Sequence, residues 1–197
     1  MKHTLIPILT ACGLISANAN LFQYNVSFSD LGEANPSLGT GLGTVDYDNV
    51  LHTLSLSLNF SGLTGATTAS HIHAPTAVAG SGNAGVATTT PSFALFPLGV
   101  SSGSFANVLD LTQASSYNPS FITGHGGNTT QAEADLVESF AAGKAYWNIH
   151  STFSPGGEIR GFLTAVPEPS SLGLLGLGAI GLATRTLSKR NARAATN

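Results

Sequence analysis

Two histidines one residue apart, His71 and His73 in "ASHIHAP", are the most chemically suggestive pair in a chain that holds six histidines. On an extended strand, residues two apart project to the same side, so both imidazoles face one surface. His150 closes "NIH", a second segment with an Ile-His ending, and strands carrying the two segments can lie side by side. Three neutral imidazoles converging from rigid strands make a nitrogen site suited to copper or zinc. His125, in the loop "ITGHGGN", can approach as a fourth ligand. The opposing reading is structural. Histidines near strand ends donate to backbone carbonyls or pair with acids, with Glu158 or Asn148 as orienting groups here, and the residues alone leave both readings open.

Other chemistry has less support. The Gly-rich stretches "GTGLGT" and "GSGNAG" lack the following helix and lysine of a phosphate loop and read as turns. No strand-turn-helix nucleophile elbow surrounds any serine. Asp46 and Asp48 flank a hairpin turn, where a solvated turn is a simpler account than a weak calcium site. Tyr146 and Trp147 alternate across a strand, so that one packs inward and the other can offer a flat face to a sugar ring. These features point to a structural or binding role rather than an enzyme.

The elements that must position these groups are mostly strands. "LFQYNVSFS" places Phe22, Tyr24, Val26 and Phe28 on one face, and "LHTLSLSLNF" does the same with Leu54, Leu56, Leu58 and Phe60. A strand over about 41–47 and a turn at Asp48-Asn49 make 40–60 a hairpin. Further strands are expected at 69–73, 103–111, 144–152 and 157–164. One segment, "TTQAEADLVESFAAGK", reads as a helix. Thr130 and Glu133 form a capping box, Ala132, Leu136, Val137 and Phe140 share a face, and Gly143 is the stop. Glu133, Asp135 and Glu138 then form a solvated face near the positive end of the helix dipole.

The two ends differ in kind from the middle. Residues 1–19 run from Lys2 through an apolar stretch to Ala17-Asn18-Ala19, the layout of a secretory signal cut after Ala19. The single cysteine, Cys12, falls inside it, so a chain cut there has neither disulfide nor thiolate ligand. Residues 20–166 are the length of one domain. They carry nine acids against the two bases Lys144 and Arg160, a net charge of minus seven, where the whole chain has minus three. No basic patch can form on such a domain, which excludes nucleic-acid binding. Residues 167–197 begin with Pro167-Glu168-Pro169, continue with an apolar segment at about 172–184, and end in Arg185, Lys189, Arg190 and Arg193. The apolar segment is shorter than the roughly 20 residues of a stable membrane span, and the basic residues after it would hold it at a cytoplasmic face.

That C-terminal order resembles the PEP-CTERM sorting signal of Gram-negative bacteria. The resemblance implies transient inner-membrane anchoring, recognition by an exosortase-type membrane protease after passage through the secretion machinery, and delivery to the cell surface or extracellular matrix, where exopolysaccharide is a candidate partner. "LNFSGLTGATTASHIHAP" (58–75), "LDLTQASSYNPSF" (109–121) and "LVESFAAGKAYWNIHSTFSPGGEIRGFL" (136–163) resemble the CHRD domain, named from animal chordin and found also in microbial secreted proteins. Its pattern falls on Leu63-Thr64-Gly65, on His71-Ile72-His73-Ala74-Pro75, on Asn148-Ile149-His150, and on Pro155-Gly156-Gly157-Glu158-Ile159-Arg160-Gly161. Ala74 stands where glycine is usual, and 76–128 is long and rich in Gly and Thr. The resemblance implies an all-β, immunoglobulin-like or superoxide-dismutase-like sandwich or barrel with one short helix, and no established activity. Copper/zinc superoxide dismutase also pairs a His-x-His strand with a later strand histidine, and "NIHSTFSPGGEIRG" is loosely similar to its closing segment. The bridging histidine and the disulfide of that enzyme have no counterpart here. Glu158 and Arg160 are expected to form an ion pair that fixes the last hairpin.

Overall fold

Alternation of apolar and short polar residues builds the strands of the computed structural model, which describes residues 21–167. The signal segment with Ala17 and Ala19, and the sorting residues Glu168, Pro169, Arg185, Lys189, Arg190 and Arg193, lie outside the described residues. Strands β1 (Leu21–Phe28), β2 (Thr40–Asp48), β3 (Thr53–Ser61), β4 (Thr67–His73) and β5 (Gly103–Asp110) are followed by helices α1 (Pro119–Gly124) and α2 (Thr129–Ala141), then by β6 (Tyr146–Ser151) and β7 (Ile159–Ala165). All pairings are antiparallel, in the order β4-β6-β7-β1-β2-β3-β5. This is the expected all-β class.

The sheet curls so that its two halves share one core. Tyr24, Val26 and Phe28 of β1 face inward with Val45 and Tyr47 of β2 and with Leu54, Leu56, Leu58 and Phe60 of β3. From the other half come Ile72, Trp147, Ile149, Ile159 and Leu163. Trp147 joins the halves, with ring centroids 5.6 Å from Phe28, 5.8 Å from Phe93 and 6.2 Å from Phe105. Its indole N–H donates to Ser70 Oγ at 2.7 Å. Burying each such ring contributes about 1.5–3 kcal/mol, and edge-on contacts add to that. Phe22 is the exception to its stripe: it is 38% exposed and stacks on Tyr47 near the end of the sheet.

The free edge of β4 is covered by irregular chain rather than by β5. Ala87 and Phe93 donate their amides to the Ile72 and Ser70 carbonyls, and Ile72 donates to Thr88 Oγ1 at 2.9 Å. These bonds satisfy edge groups that would otherwise stay open, and they bring 84–93 across the histidine-bearing face.

The helical region departs from expectation in three ways. Pro119–Gly124 forms a second short helix, capped by Asn118 and opened by Pro119 at its first turn. Helix α2 starts at Thr129 and is capped by Asn128, whose side chain accepts from Gln131 N at 2.9 Å. The Thr130–Glu133 box is therefore not formed, because an Asn one residue ahead of the helix is an equally good cap. Glu133 is also not solvated: it is 7% exposed and turned toward the sheet. Gly143, at φ +64°, does end the helix.

Candidate functional site

Pairing of β4 with β6 sets Ala69 opposite His150, His71 opposite Asn148 and His73 opposite Tyr146. With Ser70, Ile72, Trp147 and Ile149 committed to the core, alternation turns His71, His73, Tyr146, Asn148 and His150 to the opposite face. Arg160 and Phe162 continue that face onto β7, opposite Asn148 and Tyr146. The overlying 84–93 segment leaves His71 and His73 only 6% and 8% exposed.

Each of the three rings is held at Nδ1 by a backbone carbonyl. His71 meets Pro91 O at 3.2 Å, His73 meets Ala84 O at 2.8 Å, and His150 meets Pro155 O at 2.9 Å. A carbonyl oxygen only accepts, so Nδ1 carries the proton in each neutral ring and Nε2 presents a bare lone pair. The Nε2 atoms of His71 and His150 are 2.9 Å apart, and His73 Nε2 is buried without a hydrogen-bond partner. One ligand atom from each ring lies within 4.8 Å of the others. Two lone pairs at 2.9 Å repel unless a cation or a shared proton sits between them.

Protonation is opposed at all three positions. Burial, then the neighbouring His150 and His73, push His71 down to about 3 against the pull of its carbonyl bond. Burial pushes His73 down to about 4, and it lowers His150 as well. At neutral pH the cluster is thus three uncharged imidazoles with converging acceptors. Such a set can take up a metal ion that prefers nitrogen.

A polar frame surrounds the rings. Tyr146 stacks on His73 with centroids 4.7 Å apart and planes at 4°, and its hydroxyl lies 3.3 Å from the amide of Ala84, whose carbonyl holds His73. Above Tyr146 sits the Arg160 guanidinium, 4.7 Å from the ring centroid. Arg160 donates to Asn83 Oδ1 at 2.7 Å, Gly82 O at 3.2 Å and Gly32 O at 2.6 Å. Its acidic partner is Glu33, at 3.3 Å. The expected Glu158–Arg160 pair does not form, because Glu158 precedes β7, where strand alternation does not set its direction, and its side chain enters a different pocket. There Glu158 is fully buried and accepts from Ser37 Oγ, Ser151 Oγ and the amides of Thr64 and Gly65. Neither Glu158 nor Asn148 orients a histidine. Asn148 instead bonds Glu33, and both side chains press on Gly157, whose φ of +138° and lack of a Cβ the turn Pro155-Gly156-Gly157 requires. Gly161 lies in β7 beside the backbone of Ser27.

His125 stands apart from the cluster. Its Nδ1 bonds Phe121 O at 2.8 Å, its ring stacks on Phe121 at 3.9 Å, and it lines a shallow pocket with Asp135 and Glu138. The short helix α1 fixes it there, whereas a plain loop would leave it free to approach the other rings. Tyr146 and Trp147 offer no open platform either, being 3% and 0% exposed. Asp48 spends one carboxylate oxygen on the amides of Val50 and Leu51, both at 2.8 Å, as a turn residue does.

One polar group has no mark in the sequence. His52 Nδ1 lies 2.9 and 3.0 Å from the two oxygens of Glu133, and Tyr47 donates its hydroxyl to Glu133 at 2.7 Å. Burial and the adjacent Glu133 carboxylate push the Tyr47 phenol up, so it remains a donor. This trio ties α2 to the β2–β3 turn. Glu133 is distant along the chain from Tyr47 and His52, and no motif joins it to them.

Comparison with family models matches residues 22–163 to the CHRD domain and residues 165–190 to the PEP-CTERM protein-sorting motif. Neither the curated proteins nor the solved structures contain a match.

Proposed function

Starting from a chain that belongs to the CHRD-domain family, we propose that this member is a surface-displayed binding module that holds one copper or zinc ion at His71, His73 and His150. The PEP-CTERM motif marks the protein for export and for surface-associated sorting by exosortase-type machinery in a bacterium. The finer destination we propose is the surface or exopolysaccharide matrix of a Gram-negative cell, reached after transient anchoring at the inner membrane. The single observation that carries the metal reading is the common orientation of the three rings. Every Nδ1 is spent on a carbonyl, the Nε2 atoms of His71 and His150 meet at 2.9 Å, His73 Nε2 is buried without a partner, and one ring nitrogen from each histidine lies within 4.8 Å of the others. Protein second shells fix ligating histidines in this manner, by bonding the nitrogen that does not face the ion. The role is binding rather than catalysis: Arg160 is held by Gly32, Gly82, Asn83 and its ion pair with Glu33, and the buried Glu158 is committed to structural partners.

The test is elemental analysis of exported protein recovered without a polyhistidine tag, beside a His71→Ala/His73→Ala variant. About one equivalent of copper or zinc, lost in the variant, is the expected result. A metal-free protein that also fails to take up either ion after dialysis against it overturns the reading.

A further inference from the structure

On the outward face of β1, β2, β3 and β5, away from the histidine-bearing strands β4 and β6, we infer a groove that binds a chain of neutral sugars. The inference rests on the reading of this protein as a surface-displayed binding module, and it is independent of the metal site.

Three depressions run into one another on this face, of about 760, 470 and 350 Å³. Ser27 lines all three, and Leu42 and Asn59 line the first two. The register accounts for the line they follow. Ser27 pairs with Leu42, Leu42 with Asn59 and Asn59 with Ser104, so one outward residue from each strand falls in a single row across the sheet. Asn25, Thr44 and Ser57 form a second row beside it. The alternate residues Val26, Phe28, Val45, Leu56 and Leu58 are buried in the core, which commits both rows to the outside. Beyond β1 the groove continues to Arg160 and Phe162 of β7. With neighbouring strands about 4.7–4.9 Å apart, five strands give it a length of roughly 19 Å, which suits an extended polymer better than a single small molecule.

The lining is made of short hydroxyls and amides with two apolar contacts. Leu42 is 71% exposed in the middle of the row, and Phe162 is partly exposed at the β7 end. Ser104 Oγ donates to Asn59 Oδ1 at 2.7 Å, which fixes the Asn59 amide and leaves its NH₂ group to donate outward. Serine and threonine hydroxyls both donate and accept, as sugar hydroxyls do, while Leu42 and Phe162 offer apolar surface to the C–H face of a sugar ring. A peptide strand is a poorer occupant. Its backbone amides and carbonyls are satisfied at an open sheet edge, whereas this face presents side chains.

Charge selects among sugar polymers. The one charged side chain lining the groove is Arg160, which is paired with Glu33 at 3.3 Å and held by Gly32, Gly82 and Asn83. The domain as a whole carries nine acids against two bases. An acidic polysaccharide would meet a repelling field with no free cation in the groove to anchor it, and a neutral one meets no such barrier.

The experiment measures binding of the exported full chain, by biolayer interferometry, to immobilised galactomannan, dextran and hydroxyethylcellulose as neutral probes and to alginate as an acidic one. At least one neutral polymer should bind and alginate should not, with the same affinity at about 50 and about 500 mM salt. Ser27→Ile fills the point where the three depressions meet, and Asn59→Ala removes the oriented amide. Each should weaken binding at least about fivefold with an unchanged urea midpoint, whereas Gln23→Ala, on the same face outside the groove, should bind as wild type does. No binding to any neutral probe, alginate binding that fades with salt, or full binding by both groove variants overturns the inference. Self-association in sedimentation that Ser27→Ile abolishes would make this face a contact between copies and overturn it as well. Chelator-stripped protein should bind the polymer equally well. A protein that carries copper or zinc yet ignores every neutral probe therefore overturns this inference alone, and the metal reading stands or falls on elemental analysis.

Discussion

Replacing Glu158 with glutamine should remove a large part of the stability of this domain, by an amount that can be worked from its contacts. The carboxylate is fully buried. One oxygen accepts from Ser37 Oγ at 2.6 Å and Thr64 N at 2.5 Å; the other accepts from Gly65 N at 3.1 Å and from Ser151 Oγ. In the Glu158→Gln variant one of these oxygens becomes an NH₂ group. Whichever way the amide turns, a serine hydroxyl on that side can rotate to accept, but the backbone N–H of Thr64 or Gly65 cannot. One buried amide thus loses its acceptor, at about 1–3 kcal/mol, and two charge-assisted bonds become neutral, at about 1 kcal/mol more. The expected loss is about 2–4 kcal/mol, read as a lower urea midpoint at pH 7 with an unchanged slope. The pH dependence gives the sharper check. Burial pushes the Glu158 carboxyl up, but the four hydrogen bonds together hold it below its usual 4.5. A depressed carboxyl contributes stability that is complete above the unfolded value and is lost as pH falls through the lower folded value. The gap between wild type and Glu158→Gln should therefore be constant from pH 7 to about pH 5.5 and shrink at lower pH. A gap below about 0.5 kcal/mol, or one that widens on acidification, would refute the assignment of this carboxylate as an ionised clamp.

Three further outcomes test other parts of the molecule. Tyr47→Phe removes one buried hydrogen bond to Glu133 and should cost about 0.5–1.5 kcal/mol, and a double-mutant cycle with Glu133→Gln should show coupling, whereas additive losses would separate the phenol from the carboxylate. Arg160→Lys keeps the charge but cannot reach Glu33, Gly32 O, Gly82 O and Asn83 together, so a loss of about 1–3 kcal/mol in chemical denaturation is expected, and a fully stable variant would show that the fork is dispensable. Truncation after Val166 should leave exported domain out of surface fractions, as read by protease shaving of intact cells, and undiminished surface labelling would mean that sorting does not need the C-terminal motif.

The strands are readable because their signal is local. Short polar residues alternating with Leu, Val and Phe leave only one side of β1, β2 and β3 fit to be buried, and the turn at 48–52 follows from Asp48 accepting two backbone amides. What cannot be read lies in chain without a period. The 76–128 region supplies the carbonyls of Ala84 and Pro91 and the helix that carries His125 away, and nothing in its Gly and Thr content fixes where those groups land. The acids mislead for the same reason. Glu133 lies on a helix whose outward face is polar, yet its partners Tyr47 and His52 come from a hairpin more than eighty residues earlier. Chain proximity pairs Arg160 with Glu158, whereas the fold gives it Glu33 from the far end of the domain.

The two readings of the histidines concern different atoms of the same rings, which makes them separable by substitution. The structural role belongs to Nδ1, which donates to a carbonyl, and the ligand role belongs to Nε2. An asparagine amide reaches about as far as Nδ1 and donates as it does, so His73→Asn can keep the bond to Ala84 O while removing the atom that would touch an ion. A glutamine reaches instead toward the Nε2 position. If both roles are real, His73→Asn should fold within about 0.5 kcal/mol of wild type and lose its metal, whereas His73→Ala should lose metal and also leave the Ala84 carbonyl with only the longer bond from the Tyr146 hydroxyl at 3.4 Å, at about 1–1.5 kcal/mol. Thermal melts of the metal-free proteins measure the first role, and metal content after reconstitution measures the second. Equal instability of the Asn and Ala variants would mean that stacking on Tyr146, not the carbonyl bond, holds the ring. Full metal retention by His73→Asn would remove His73 from the ligand set and leave the 2.9 Å pair of His71 and His150 to account for binding alone.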